Sequence, residues 1–258
     1  MKIFITVLVT FFAGMGAGLG TGFAGMSAAA VISPMLITFL DMDPYTAVGI
    51  ALASDVLASA VSAYTYGRKK NLDIKNGLIM MATVLTFTIV GSYLASLLPS
   101  AAMGGFSVVM TFLLGVKFIV RPVMTTKESM KKVPAKKRAI QSVICGTLIG
   151  LICGFVGAGG GMMMLLVLTS FMGFPLKKAV GTSVFIMTFT ALVGAVSHFG
   201  IGGLPDTTAM ITCIFSTLVS AQLAALIANK VKPKTLNITV GVVLLILGIV
   251  MLVLHSFF

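Results

Sequence analysis

Ten apolar stretches run along the chain: about 3–21, 25–40, 45–66, 76–98 and 103–121, then 139–154, 159–173, 179–198, 207–228 and 235–256. Inside them apolar residues are nearly continuous. Neither the two-residue alternation of a half-buried strand nor the single apolar stripe of a soluble helix is present. A helix of about 20 apolar residues crosses a bilayer, so the pattern predicts an all-α polytopic membrane protein. The first two stretches of each set of five are shorter and are separated by glycine-rich sequence. They could be two crossings, one broken helix or a re-entrant hairpin.

The two sets of five are alike. Gly18-Leu19-Gly20-Thr21-Gly22-Phe23-Ala24-Gly25 matches Gly150-Leu151-Ile152-Cys153-Gly154-Phe155-Val156-Gly157, which puts Gly22 on Gly154 at an offset of 132 residues. At the same offset Gly14 falls on Gly146, Ala47-Val48-Gly49 on Ala179-Val180-Gly181, and Leu72 on Leu204. Gly115 pairs loosely with Gly248 after a small shift. The expected organisation is a first repeat over 1–121, a cytoplasmic basic linker over 122–138 and a second repeat over 139–258. Met1-Lys2 and the apolar run after it resemble a signal peptide, but Gly14 belongs to the repeat, so the segment reads as a retained helix.

Composition narrows the class. Of 258 residues, 58 % are hydrophobic and only 9 % charged, against about 25 % charged in soluble domains. A soluble enzyme, a disordered chain and a secreted disulfide scaffold are excluded. Net charge is +12, from 18 basic and 6 acidic residues. In this setting it reads as the cationic cytoplasmic loops that orient membrane proteins, not as a nucleic-acid surface. With the linker in the cytoplasm and an odd number of crossings per repeat, Arg68-Lys69-Lys70, Lys177-Lys178 and Lys230 to Lys234 all come out cytoplasmic. Asp41, Asp43 and Asp206 come out external. An odd repeat joined by a simple linker must be inverted, and Lys2 outside is the weak point of the scheme. Cys145, Cys153 and Cys213 sit in apolar runs as packing residues; no metal site or cofactor is expected.

Gly14, Gly18 and Gly22 recur every fourth residue, as do Gly146, Gly150 and Gly154. Such a stripe serves close helix packing. The clusters that follow interrupt apolar runs. Glycine costs a helix about 1 kcal/mol relative to alanine, so each cluster should break its helix within the membrane. Free N–H groups of the next helix then face the gap, where they and the helix dipole favour an anion. Two such breaks in an inverted repeat bring helix ends together near the midplane, the layout of a secondary transporter site. The candidate anion-binding residues are Gly22, Phe23, Ala24, Gly25, Met26 and Ser27 at the first break. At the second they are Gly157, Ala158, Gly159, Gly160 and Gly161. Ser54, Thr182 and Ser183, just after the Ala-Val-Gly elements, are candidate neutral donors.

Asp55 is the only carboxylate deep in an apolar stretch. A mid-membrane charge costs about 2.5–3.5 kcal/mol on insertion scales, which makes it a functional candidate. It is expected to carry a coupling proton or to pair with Lys117; a hydrogen-bonded helix contact is the plain alternative. His198 ends a span on the external side, where a proton role competes with that of an ordinary interfacial histidine.

The glycine-rich break, the Ala-Val-Gly element about 25 residues later and their recurrence in the second half resemble the sulfite exporter TauE/SafE family over nearly the whole chain. The Gly-Phe-x-Gly-x-Gly-Gly-Gly form is complete from Gly154 to Gly161. It is degraded in the first half, which reads Met26-Ser27-Ala28 there. Pro34 supplies the downstream proline in the first half only. The resemblance implies a transporter of sulfite or of an organosulfur anion such as a sulfonate, in the cell (inner) membrane of a bacterium or archaeon. The expected partners are a small anionic substrate and the lipid bilayer, with no nucleic acid and self-association left open. The expected function is alternating-access transport, with proton coupling as an option and an anion channel of the same build as the alternative. The clustered side chains of an intramembrane enzyme are absent.

Overall fold

The computed structural model describes residues 2–97, 134–156 and 160–232, with scattered helical positions between 109 and 120 and between 234 and 253. All regular structure among the described residues is helical. The helices are α1 (Lys2–Ala24), α2 (Ala29–Leu40), α3 (Pro44–Arg68), α4 (Ile74–Ser96), α5 (Ala135–Val156), α6 (Gly160–Leu166), α7 (Leu176–Gly202) and α8 (Thr207–Ala228). A π-helical turn, Val167–Phe171, prolongs α6. Five of them (α1, α3, α4, α7 and α8) contain stretches long and apolar enough to cross a membrane. α2 is too short. Its 12 residues rise about 18 Å, against a hydrocarbon core of about 30 Å. α5 begins at Ala135, inside the segment expected as linker.

The helices start and stop where local chemistry dictates. Asp43 caps α3, accepting the Thr46 N–H at 3.0 Å, and Pro44 takes the first helical position, where no N–H is needed. Asp206 caps α8 by accepting the Thr208 N–H at 3.0 Å. α2 ends at Asp41, which adopts the left-handed conformation with φ of 49°.

Close contacts fix how the helices run. Gly14 faces Ser216 and Thr217, Gly18 faces Thr217 and Ser220, and Gly22 faces Ala221 and Ala224, so α1 and α8 are parallel. Gly146 faces Thr83, Gly150 faces Val84 and Phe87, and Gly154 faces Thr88 and Ser92, so α5 and α4 are parallel too. In contrast Gly49 lies on His198 and Phe199 while Gly181 lies on Tyr66 and Asn71, so α3 and α7 are antiparallel. Every glycine of the two stripes faces backbone or small side chains at distances that no Cβ tolerates. Close packing is therefore their role, each stripe seated on a helix of the other half.

These directions sort the charges. At one end of the bundle Lys178 pairs with Asp73 at 3.2 Å, Lys177 Nζ donates to the Asn229 carbonyl at 2.6 Å, and Asn71 bonds Asn229 at 3.0 Å. Arg68, Lys69 and Lys70 end α3 there. The capping residues Asp43 and Asp206 start α3 and α8 at the opposite end. Leu57, Val196, Ile211 and Phe215 are among the large apolar side chains left exposed on the outer surface, as lipid contact requires.

Candidate functional site

The first glycine cluster ends α1. Ala24 is its last residue, the chain leaves the helix over 25–28, and Gly25 takes φ of +64°, which a side chain would strain. α2 then turns back beside α1 toward the Asp41 end. In the second half, α5 is described to Val156 and α6 from Gly160. The expected ligands Gly157, Ala158 and Gly159 lie outside the described residues, as does Lys117. The start of α6 touches the first break. A side chain on Gly161 would meet the Gly25 carbonyl, the Ser27 N–H and the Met187 sulfur; one on Gly25 would meet Ser183 and Val180.

Asp55 stands at this junction and is fully buried. Ser27 Oγ donates to its Oδ2 at 2.9 Å and Ser59 Oγ to its Oδ1 at 2.8 Å. The Ala28 N–H, at the start of α2, also bonds the carboxyl group. The group at the α2 N-terminus is thus the protein's own carboxyl. This departs from the expectation of a vacant helix end, for a simple reason: a carboxylate on the neighbouring helix reaches N–H groups that would otherwise be orphaned. Among the described residues no cation pairs with Asp55. The group is held by three neutral donors, a setting that accommodates either one negative charge or one proton.

From Asp55 a polar file follows one face of α3. Asp55, Ser59, Ser62 and Tyr66 are spaced by four, three and four residues, and all are buried. Ser62 Oγ has no partner among the described residues, nor has Ser33 Oγ on α2. Tyr66 closes the file by donating to the Gly22 carbonyl at 3.1 Å. The matching positions on α7, at the repeat offset, are Met187, Ala191, Gly194 and His198. That face is apolar until its last member. Sequence reasoning missed Ser62 and Tyr66, although their helical spacing from Asp55 was there to be read.

The other expected site residues divide. Ser27, Gly25, Gly161 and Ser183 gather at the junction; Ser183 Oγ donates to the Val180 carbonyl at 2.9 Å. Gly160 lies on Cys153, just beside it. Ser54 is buried and donates to its own helix, to the Ile50 carbonyl at 2.9 Å. Met26 is buried against Gly20, and Ala24 is buried nearby. Gly22 packs on α8, and the Phe23 carbonyl lies 3.5 Å from the Tyr66 hydroxyl. Thr182 is drawn away to the basic end, where its Oγ1 accepts the Asp73 N–H at 3.0 Å at the start of α4.

Comparison with known proteins points to a family of membrane transporters. The family model described as "Sulfite exporter TauE/SafE" matches residues 10–251. The "Probable membrane transporter protein YunE" of Bacillus subtilis is 25 % identical over 244 residues, covering 90 % of this chain and 89 % of the relative. The "Probable membrane transporter protein MJ0441" of Methanocaldococcus jannaschii is 24 % identical over 217 residues, covering 80 % and 78 %. No solved structure matches the chain.

Proposed function

The chain belongs to the sulfite exporter TauE/SafE family, and from that premise we propose that it carries a small sulfur oxyanion together with a proton by alternating access. Membership makes it an integral membrane transporter and not an enzyme. The cargo, on this reading, is sulfite or an organic sulfonate, and the setting is a bacterial or archaeal cell membrane, with the basic end of the bundle in the cytoplasm.

One observation carries the mechanism: equivalent helices α3 and α7 run antiparallel, and the start of α6 meets the first glycine break between them beside Asp55. Antiparallel equivalents support two halves of opposite orientation in the membrane. Two helical hairpins then enter from opposite faces, and their tips bound a site that either face can reach. That is the geometry of inverted-repeat carriers.

Asp55 supplies the coupling. An oxyanion at the junction of the tips would be repelled by an ionised carboxylate a few ångströms away. A proton on Asp55 removes that repulsion, so anion and proton move together. The hydroxyls of Ser27 and Ser59 then turn from the neutralised carboxyl toward the incoming anion. The polar file through Ser62 and Tyr66 gives the proton a route toward the basic end, which the apolar face of α7 does not match.

The test is flux in proteoliposomes, with sulfite, taurine and other sulfonates offered with and without an imposed pH gradient. The account predicts saturable flux that a proton gradient drives in the proton's own direction. Flux that ignores the pH gradient would remove the coupling, and the absence of flux for every sulfur anion would remove the cargo.

A further inference from the structure

At the repeat offset of 132 residues, Tyr66 corresponds to His198, Gly22 to Gly154 and Phe23 to Phe155. Tyr66, at the basic end, donates its O–H to the Gly22 carbonyl at 3.1 Å and lies 3.5 Å from the Phe23 carbonyl. Carbonyls in the last turn of a helix have no helical partner. Tyr66 therefore fastens the tip of the first hairpin to α3.

Its counterpart does not fasten the second. His198 is 1 % exposed, at the opposite end of the bundle. Its Nδ1 lies 3.1 Å from the Gly194 carbonyl, and its Nε2 has no partner among the described residues. The ring stacks on Tyr45, with centroids 4.3 Å apart. The Tyr45 hydroxyl donates to the Ser92 carbonyl at 3.4 Å, and Ser92 Oγ donates to the Gly154 carbonyl at 3.3 Å. Tyr45 and Ser92 thus stand between His198 and the carbonyl that the repeat register assigns to it. Phe155 packs against the same apolar cluster as Tyr45 and Phe199.

Two equivalent halves of opposite orientation give two end states, each reached from the other by exchanging the conformations of the halves. Here Tyr66 holds its hairpin tip and His198 Nε2 has no partner among the described residues, which is the asymmetry one end state requires. We propose that Tyr66 and His198 are repeat-related latches that close in turn: Tyr66 on the first hairpin tip in the state described, His198 on the Gly154 and Phe155 carbonyls in the oppositely open state. Closing the second latch puts the imidazole hydrogen on Nε2, so the Nδ1 contact with Gly194 is given up as the new bond forms. Tyr45 moves aside. Both residues are positioning residues for transport, and the proposal rests on the alternating-access reading above.

Single cysteines at Gly67 and Phe199, repeat-related positions one residue beyond each latch, report the two states. They are placed in the full chain with Cys145, Cys153 and Cys213 replaced, reconstituted in liposomes and labelled from each side with an impermeant maleimide. Loss of one neutral hydrogen bond shifts a two-state balance about fivefold. Tyr66→Phe should raise labelling at position 67 by that factor and lower it at 199. His198→Phe should do the reverse, and His198→Gln, which keeps a donor, should return both rates toward those of the parent. His198→Phe also removes a buried nitrogen that has no partner among the described residues, so it is expected to fold and serves as the check if Tyr66→Phe does not. Unmoved rates, or a shift in the same direction for both variants, would overturn the latches. If sulfite fails to change the two rates reciprocally even with both latches intact, alternating access itself fails, a result distinct from reciprocity that the variants leave untouched.

Discussion

Adding one methyl group at Gly22 or at its counterpart Gly154 forces apart a pair of closely packed helices. A Cβ on Gly22 would overlap the Ala221 carbonyl and lie 2.6 Å from the Ala224 Cβ and 2.8 Å from the Ala225 nitrogen. One on Gly154 would overlap the Thr88 carbonyl and lie 2.7 Å from the Ser92 nitrogen. These obstacles are mostly backbone, so no rotamer change relieves them. Overpacking of this kind costs about 1–3 kcal/mol. Alanine returns about 1 kcal/mol of helix propensity, leaving a net loss of up to about 2 kcal/mol. Gly200, on α7, is the control: nothing lies within 4 Å of an added Cβ. There the propensity gain stands alone, and Gly200→Ala should be neutral or stabilising by up to about 1 kcal/mol. Thermal unfolding of the purified protein in detergent reads the difference, at about 3 °C per kcal/mol for a chain of this size. Gly22→Ala and Gly154→Ala should both melt several degrees below Gly200→Ala, while anion affinity in the folded fraction stays put. A Gly22→Ala protein as stable as its parent would refute the packing argument. Unchanged stability with lost anion binding would return the stripe to the site.

Further outcomes follow from the same contacts. Asp55→Asn should abolish the response of flux to a pH gradient while anion exchange continues; acid-driven flux at the parental rate would sink the coupling role. Thr182→Val leaves the Asp73 N–H without its acceptor and should cost about 1 kcal/mol of stability. It should not change anion affinity, and a weakened affinity would place Thr182 in the site after all. For topology, cysteines at Met42 and Gly203 should label from one side of the membrane and cysteines at Lys70 and Lys178 from the other. Labelling of all four from the same side would contradict halves of opposite orientation.

The outline of this fold was legible because its signals are local. Apolar runs marked the helices; the stretch expected over 207–228 is the observed α8, and that over 45–66 is α3, lengthened by Pro44 at one end and by Gly67 and Arg68 at the other. Asp55 stood out because a lone carboxylate in an apolar run is costly. What remained hidden was pairing between distant segments. Nothing near Gly22 in the chain announces that Ala221 and Ala224 will cover it, and nothing near Thr182 announces Asp73. The carboxyl group that meets the α2 N-terminus was hidden in the same way, because it comes from α3. Tyr66 was the avoidable omission, since its spacing from Asp55, Ser59 and Ser62 follows one helix face. The stretches expected at 103–121 and 235–256 fall largely outside the described residues; one contact between them, Gly248 on Phe112, is described.

Counterflow tests the central claim most directly. Liposomes containing the protein are loaded with unlabelled sulfite or sulfonate, and entry of the labelled anion is followed at equal pH on both sides. A carrier whose two hairpin tips enclose one site must return loaded faster than empty, so the account predicts entry that saturates and is accelerated by internal substrate. Entry that rises linearly with concentration and is indifferent to internal substrate would contradict it and make the junction of the two glycine breaks a pore.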